Sequence, residues 1–203
     1  MRINFPTWLT LFRVALLPVM VLVYYSHAAV NGIPLHFATI GAAVIFVLAS
    51  VTDWFDGYLA RRWNQTSAFG AFLDPVADKL MVAVTLFLLV QSHHTALMAI
   101  VSAIIVGREI GVSALREWMA SIGQRSRVRV AMIGKVKTVM QMVAIVVLLL
   151  EHDRDAAFLR YWYVGEALLV IAAVLTIWSG LAYLRAAWPS FREGGDGVGN
   201  GNV

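Results

Sequence analysis

The chain has no cysteine. It can form no disulfide, present no thiolate nucleophile and build no cysteine-ligated zinc or iron–sulfur centre. Charge is scarce as well: Asp, Glu, Lys and Arg make up 14% of the 203 residues, while 60% are hydrophobic. Average soluble domains carry about 25% charged residues. With a mean hydropathy of +0.75, the sequence excludes an ordinary soluble domain and reads as an integral membrane protein. No Pro/Gly/Ser-rich linker divides the chain before its end and no internal repeat is evident, so it reads as one domain. Nucleic-acid motifs are absent. His93 and His94 have no neighbouring ligands and read as plain loop residues.

Long apolar stretches are what the chain has in abundance. The first covers residues 7–25, opened by the helix-start residues Pro6 and Thr7 and interrupted early by Arg13. It is too long for a signal peptide and no small-residue cleavage site follows, so it is a retained helix. The second runs from Leu35 to Val51 and continues in helical spacing to Arg62. A helix of about 27 residues is roughly 40 Å long against a hydrocarbon core of about 30 Å, so its charged end projects toward the headgroups. A third helix is expected over 70–91 with Pro75 near its start, where a proline is tolerated or kinks the helix modestly. The remaining helices are expected over 96–119, 131–150 and 161–184. The fold class is all-α, a polytopic membrane protein with six transmembrane helices in one domain over residues 1–188. A flexible tail follows over 189–203, Gly/Asp/Asn-rich from Gly194 onward.

Six spans put both termini on one side of the membrane. Of the sixteen Lys and Arg residues, all but Arg154 and Arg160 fall on that side, a strong positive-inside asymmetry that makes it cytoplasmic. Trp63, Trp118, Tyr161, Trp162 and Tyr163 suit interfacial anchoring. Arg125, Arg127 and Arg129, alternating in a loop, suit contact with anionic lipid headgroups.

Four aspartates break the apolar pattern. Asp53, Asp56 and Ala60 are spaced three and four apart, and Gly70, Asp74 and Asp78 four and four, so each set lies along one stripe of a helix. An Asp at the bilayer centre costs roughly 2.5 to 3.5 kcal/mol, so four isolated ones would cost on the order of 10 kcal/mol. Their position at the cytoplasmic ends of helices two and three lowers that cost, and divalent metal is the natural compensation. Oxygen ligands without nitrogen or sulfur favour Mg²⁺, Mn²⁺ or Ca²⁺ over zinc, and Mg²⁺ typically bridges carboxylates to substrate phosphates. Gly57, Ala60 and Gly70 remove side-chain bulk where a pyrophosphate has to approach, and Arg61 supplies a fixed cation for phosphate oxygens. Taken singly, an aspartate pair at a helix end is a solvated cap and small residues mark helix packing; together in one register they are harder to dismiss. Arg108, Lys135 and Lys137 lie at the cytoplasmic ends of helices four and five, where a phosphorylated acceptor needs positive charge. For Thr10 and Arg13, contact with a nucleotide or phosphate and a structural role stay equally open.

The string Asp53-x-x-Asp56-Gly57-x-x-Ala60-Arg61, then eight residues, then Gly70-x-x-x-Asp74-x-x-x-Asp78 resembles the complete signature of the CDP-alcohol phosphatidyltransferase family, with no departing position. Residues 4–13, 52–57, 108–110, 113–118 and 134–138 are similar to the bacterial members that make phosphatidylglycerophosphate, and the resemblance extends to about residue 187. It implies a six-helix, homodimeric enzyme of the bacterial cytoplasmic (inner) membrane. Such an enzyme transfers a phosphatidyl group from CDP-diacylglycerol to sn-glycerol 3-phosphate and releases CMP. Carried over, Asp53, Asp56 and Asp74 are metal ligands for Mg²⁺ or Mn²⁺ as a pair of ions, and Asp78 is the general base with a share in metal binding. Gly57, Ala60, Arg61 and Gly70, with Thr10, form the CDP-diacylglycerol site, while Arg108, Lys135 and Lys137 bind the acceptor phosphate. Membrane lipids and a second copy of the chain complete the expected partners. The signature is shared with enzymes using serine, inositol phosphate or phosphatidylglycerol as acceptor. Prenyltransferases use aspartates at different spacing. A cation transporter fits poorly with acids clustered at one face beside Arg61.

Overall fold

The computed structural model describes residues 5–29, 34–63, 68–122, 132–150 and 159–195. They form six helices: α1 (Phe5–Ala29), α2 (Leu35–Trp63), α3 (Ala68–His93), α4 (Ala96–Ser121), α5 (Met132–Leu150) and α6 (Leu159–Gly195). No strand occurs among the described residues. Helix α1 lies against α2 and α3, α2 also against α3 and α5, α3 against α4 and α5, and α6 closes on α4 and α5.

Each helix buries one narrow stripe. In α1 it is Thr10, Arg13, Leu17, Met20 and Tyr24, spaced three and four apart. In α2 it is Ala38, Ala42, Phe46 and Ala49, with Asp53 next in register, and in α5 it is Lys137, Gln141, Ala144, Ile145 and Leu148. Alternating steps of three and four keep residues on one side of a helix with 3.6 residues per turn. The stripes are apolar at one end and turn polar at the other, all at the same end of the bundle. Large apolar side chains such as Leu22, Phe37, Phe87 and Trp178 point outward, 61 to 71% exposed. That surface is the reverse of a soluble protein's and matches a hydrocarbon solvent.

Among the described residues four stretches, 7–28, 35–53, 96–121 and 163–189, are long and apolar enough to cross a membrane. Helix α3 gives its first turns to Asp74, Asp78 and Lys79, and the apolar run found in α5 is the shorter Lys137–Leu150. Several buried hydroxyls bond back to their own helices, while those of Ser102 and Thr176 have no hydrogen-bond partner. Ser50 donates to the Phe46 carbonyl at 2.8 Å and Thr85 to that of Met81 at 2.8 Å, with the Met20 sulfur of α1 a further acceptor 3.7 Å from the Thr85 hydroxyl.

The α3–α4 connection is shorter than the four-residue turn the sequence suggests. His93 still belongs to α3; His94 takes the left-handed conformation (φ 44°) and donates its amide to the Val90 carbonyl at 3.1 Å. Thr95 then caps α4, its hydroxyl oxygen accepting the Met98 amide at 3.2 Å. Helix α6 also departs from expectation, running past Leu184 and through Pro189 to Gly195. Ala187 is fully buried, so packing holds this last part against the bundle although Pro189 removes an amide donor.

Close approach of helices requires two glycines. A Cβ on Gly41 would lie 2.7 Å from Val23 Cγ1, and one on Gly165 would lie 2.9 Å from both Cγ and Cδ2 of Leu148. Leu148 is itself buried, so it cannot yield. Gly165→Ala gains about 1 kcal/mol of helix propensity but forces overpacking that costs about 1 to 3 kcal/mol. The net outcome expected is a lower unfolding temperature in detergent, with the bundle otherwise intact by circular dichroism.

Candidate active site

The polar end of the bundle is built first from α1. Thr10 and Arg13, both 1% exposed, lie at the polar end of the α1 stripe, which Thr7 continues toward the N-terminus. The Arg13 Nη1 donates to Asp53 Oδ1 of α2 at 2.6 Å and also to Asp78 Oδ1 of α3. The Thr10 hydroxyl donates to Asp74 Oδ1. The buried stripe of one helix thus holds three of the four signature aspartates, and α1 is the helix that packs on both of their carriers. A charge-assisted bond is about twice as strong as a neutral one, and the shared guanidinium offsets the repulsion between Asp53 and Asp78.

Facing this wall is a basic one. Arg108 of α4 donates from Nη2 to Ser179 Oγ of α6 at 2.7 Å and lies over the Tyr183 ring, 5.8 Å from its centroid. Lys137 of α5 is 2% exposed and pairs with Glu109 of α4 at 3.3 Å. Between the walls lies a cavity of about 640 Å³ lined by Asp53, Asp74, Asp78 and Arg13 on one side and by Lys79, Arg108, Arg116 and Lys137 with Glu109 on the other. Three carboxylates meet one guanidinium on the first side; four cations meet one carboxylate on the second. Buried Arg108 Nε has no hydrogen-bond partner. A donor left unsatisfied beside a cavity of net positive wall suits an anionic ligand.

The acidic wall suits a divalent cation in donor chemistry and in charge: its ligands are oxygens alone, and Asp53 and Asp78 remain 35% and 46% exposed to the cavity. Among the described residues no three acidic or histidine side chains stand close enough to hold an ion as they are, and Arg13 bonds to two of the carboxylates.

Of the residues expected from sequence, Asp53, Asp74, Asp78, Arg108 and Lys137 come together around this one cavity. Gly70 is buried at the start of α3, one turn before Asp74, and does not line it; neither does Thr10, whose hydroxyl orients Asp74. The side chains of Asp56, Gly57, Ala60, Arg61 and Lys135 lie outside the described residues. Sequence reasoning left Arg13 undecided and missed Lys79, Glu109, Arg116, Gln141, Ser179 and Tyr183 as lining or supporting groups. For Arg13 the signal existed: a cation inside an apolar helix demands a partner, and the four acids were the available ones. For Ser179 and Tyr183 no signal existed, since hydroxyls in the last span look like ordinary membrane-helix residues.

Six apolar-faced helices around a cavity with one acidic and one basic wall define a polytopic membrane protein built to act on a phosphorylated molecule at one membrane face. Residues 3–178 match the family model of CDP-alcohol phosphatidyltransferase, and the chain belongs to that family. It is 51% identical over 193 residues, 95% of its length and 100% of the relative's, to the CDP-diacylglycerol–glycerol-3-phosphate 3-phosphatidyltransferase of Yersinia pestis (strain Pestoides F). Proteins of the same name from Sodalis glossinidius (strain morsitans) and Shigella flexneri serotype 5b (strain 8401) are 53% identical over 187 residues and 52% over 189, each match covering 92% of this chain and 96% of the relative.

Arg13→Ala removes the charge shared by two carboxylates. Breaking a fully buried pair costs about 3 to 5 kcal/mol; because the carboxylates here are a third to a half exposed, about 2 to 3 kcal/mol is expected. Arg13→Lys retains a point charge without the planar fork and recovers only part of that. Thermal unfolding of both variants in the same detergent checks the order.

Proposed function

We propose that this chain transfers the phosphatidyl group of CDP-diacylglycerol to sn-glycerol 3-phosphate, giving phosphatidylglycerophosphate and CMP. The observation that carries the reading is the cavity with opposed walls. An acidic wall suits a metal-assisted pyrophosphate, and a basic wall suits an acceptor that itself bears a phosphate. The printed names of relatives matching over nearly the whole chain support the same reaction. An uncharged acceptor would gain nothing from Arg108, Arg116 and Lys137.

In this mechanism Arg108 and Lys137, with Arg116 and Lys79 near, hold the acceptor phosphate and fix the orientation of the glycerol chain. Asp78 takes the proton of the terminal hydroxyl. The freed oxygen forms a bond to the phosphorus nearest the lipid, the bond from that phosphorus to the bridging pyrophosphate oxygen breaks, and CMP leaves with the electron pair. Arg13 holds Asp78 and Asp53 in place during this exchange, and Thr10 holds Asp74. Asp53, Asp56, Asp74 and Asp78 would hold Mg²⁺ or Mn²⁺, which when bound neutralises charge developing on the pyrophosphate. Gly57, Ala60, Arg61 and Gly70 would receive the CDP moiety.

The excess of Lys and Arg at the site end supports a cytoplasmic orientation for the cavity and both termini, in a bacterial inner membrane. That location lets a membrane-held donor meet a water-soluble acceptor. The active unit is a homodimer, a state the family resemblance favours and cross-linking in native membranes measures.

Purified protein given CDP-diacylglycerol, Mg²⁺ and a panel of acceptors is expected to release CMP with glycerol 3-phosphate and not with serine or inositol phosphate; release dependent on serine alone would sink the reading. Asp78→Asn is expected to lower turnover by roughly 100-fold or more while sparing CDP-diacylglycerol binding. A near-normal rate would remove Asp78 from the role of base.

A further inference from the structure

Gln141 is 2% exposed, on the face of α5 that lines the cavity, and its Oε1 has no hydrogen-bond partner. It stands one turn beyond Lys137, about 6 Å further along the helix at 1.5 Å per residue. Beyond it the α5 stripe is wholly apolar, through Ala144, Ile145 and Leu148. The same cavity has Phe46, Met81, Val82 and Met142 as its apolar lining and Asp53, Asp78, Arg108 and Lys137 among its charged groups, and none of these bonds to Gln141 Oε1. Buried side-chain polar atoms are satisfied in the great majority of cases, and one that is not, beside a cavity, marks a place where a ligand group belongs.

We infer that Gln141 is a specificity-determining residue that binds the middle hydroxyl of the acceptor. The inference rests on the proposed reaction and deepens it. In glycerol 3-phosphate the phosphate occupies one end and the reacting hydroxyl the other, which leaves the central hydroxyl unassigned. With the phosphate on Lys137 and Arg108 and the terminal hydroxyl at Asp78, the central hydroxyl is the group left for an amide one helical turn from Lys137. A hydroxyl both donates and accepts, so it suits either end of an amide. A site with a buried polar group built for a substrate hydroxyl penalises analogues lacking it, because the protein group is then left unpaired. Gln141 therefore gives the cavity a means of telling a glycerol from a plain three-carbon phosphate ester.

The test compares glycerol 3-phosphate with 3-hydroxypropyl phosphate, which keeps the phosphate and the terminal hydroxyl but lacks the central one. CMP release by the purified full chain gives kcat/KM for each acceptor, and the ratio is taken within one preparation so that the folded fraction cancels. Wild-type protein is expected to prefer glycerol 3-phosphate by on the order of 100-fold. Gln141→Met, of similar volume but apolar, is expected to reduce that preference to within a few-fold, chiefly by losing rate on glycerol 3-phosphate. If the Met variant yields no active protein, Gln141→Asn, too short to reach, is expected to lower the ratio likewise. A wild-type ratio kept by an active variant overturns the assignment of Gln141 and leaves the reaction standing. Failure of wild-type protein to use glycerol 3-phosphate at all overturns both.

Discussion

One guanidinium shared between two aspartates is the contact on which the rest of the site depends. Asp53 and Asp78 belong to different helices, and like charges brought together at a membrane face repel and lose solvent. Arg13 reaches both from α1, the helix packed against both of their carriers, and Thr10 one turn earlier takes Asp74. The geometry of the acids is therefore set by a helix outside the signature stretch. Burial of Arg13 carries its own desolvation cost, which two carboxylates offset where one would do so less well.

The same logic runs through the bundle. The inward stripes of α1, α2 and α5 are apolar through most of their length and turn polar at a common level, so these helices pack by dispersion and shape below and by charge above. Small residues let α1 approach α2 at Gly41 and α5 approach α6 at Gly165, at the end of the bundle away from the acids. Asp53, Asp74 and Asp78 come from α2 and α3 and Arg108, Arg116 and Lys137 from α4 and α5, with Lys79 of α3 and Glu109 of α4 as the exceptions, which gives one cavity two chemistries. A pyrophosphate carried by a lipid and a phosphate arriving from water can be held at once without competing for the same groups.

The helices were legible from hydropathy because no polar segment competes with them, and the acids from their spacing and intramembrane cost. Boundaries were less so. Thr95 as a cap and His94 as the left-handed link shorten a turn whose residues look merely polar, and buried Ala187 carries α6 through a proline that reads as a stop. The site was half legible. Asp53, Asp74, Asp78, Arg108 and Lys137 follow from periodicity and charge, but the role of Arg13 depends on which helices touch, and Gln141 becomes visible only once its Oε1 is found buried beside a cavity without a partner. Such pairings are decided by packing between distant segments, which one-dimensional spacing does not contain.

A double-mutant cycle between Arg13 and Asp53 measures the central contact most directly. Unfolding free energies of Arg13→Ala, Asp53→Asn and the double variant, in the same detergent, give the coupling between the two sites. A shared charge predicts a coupling of roughly 1 to 3 kcal/mol, the double variant being more stable than the sum of the single losses. Additivity within about 0.5 kcal/mol would contradict the account, since Arg13 would then be buried for reasons unrelated to the acids.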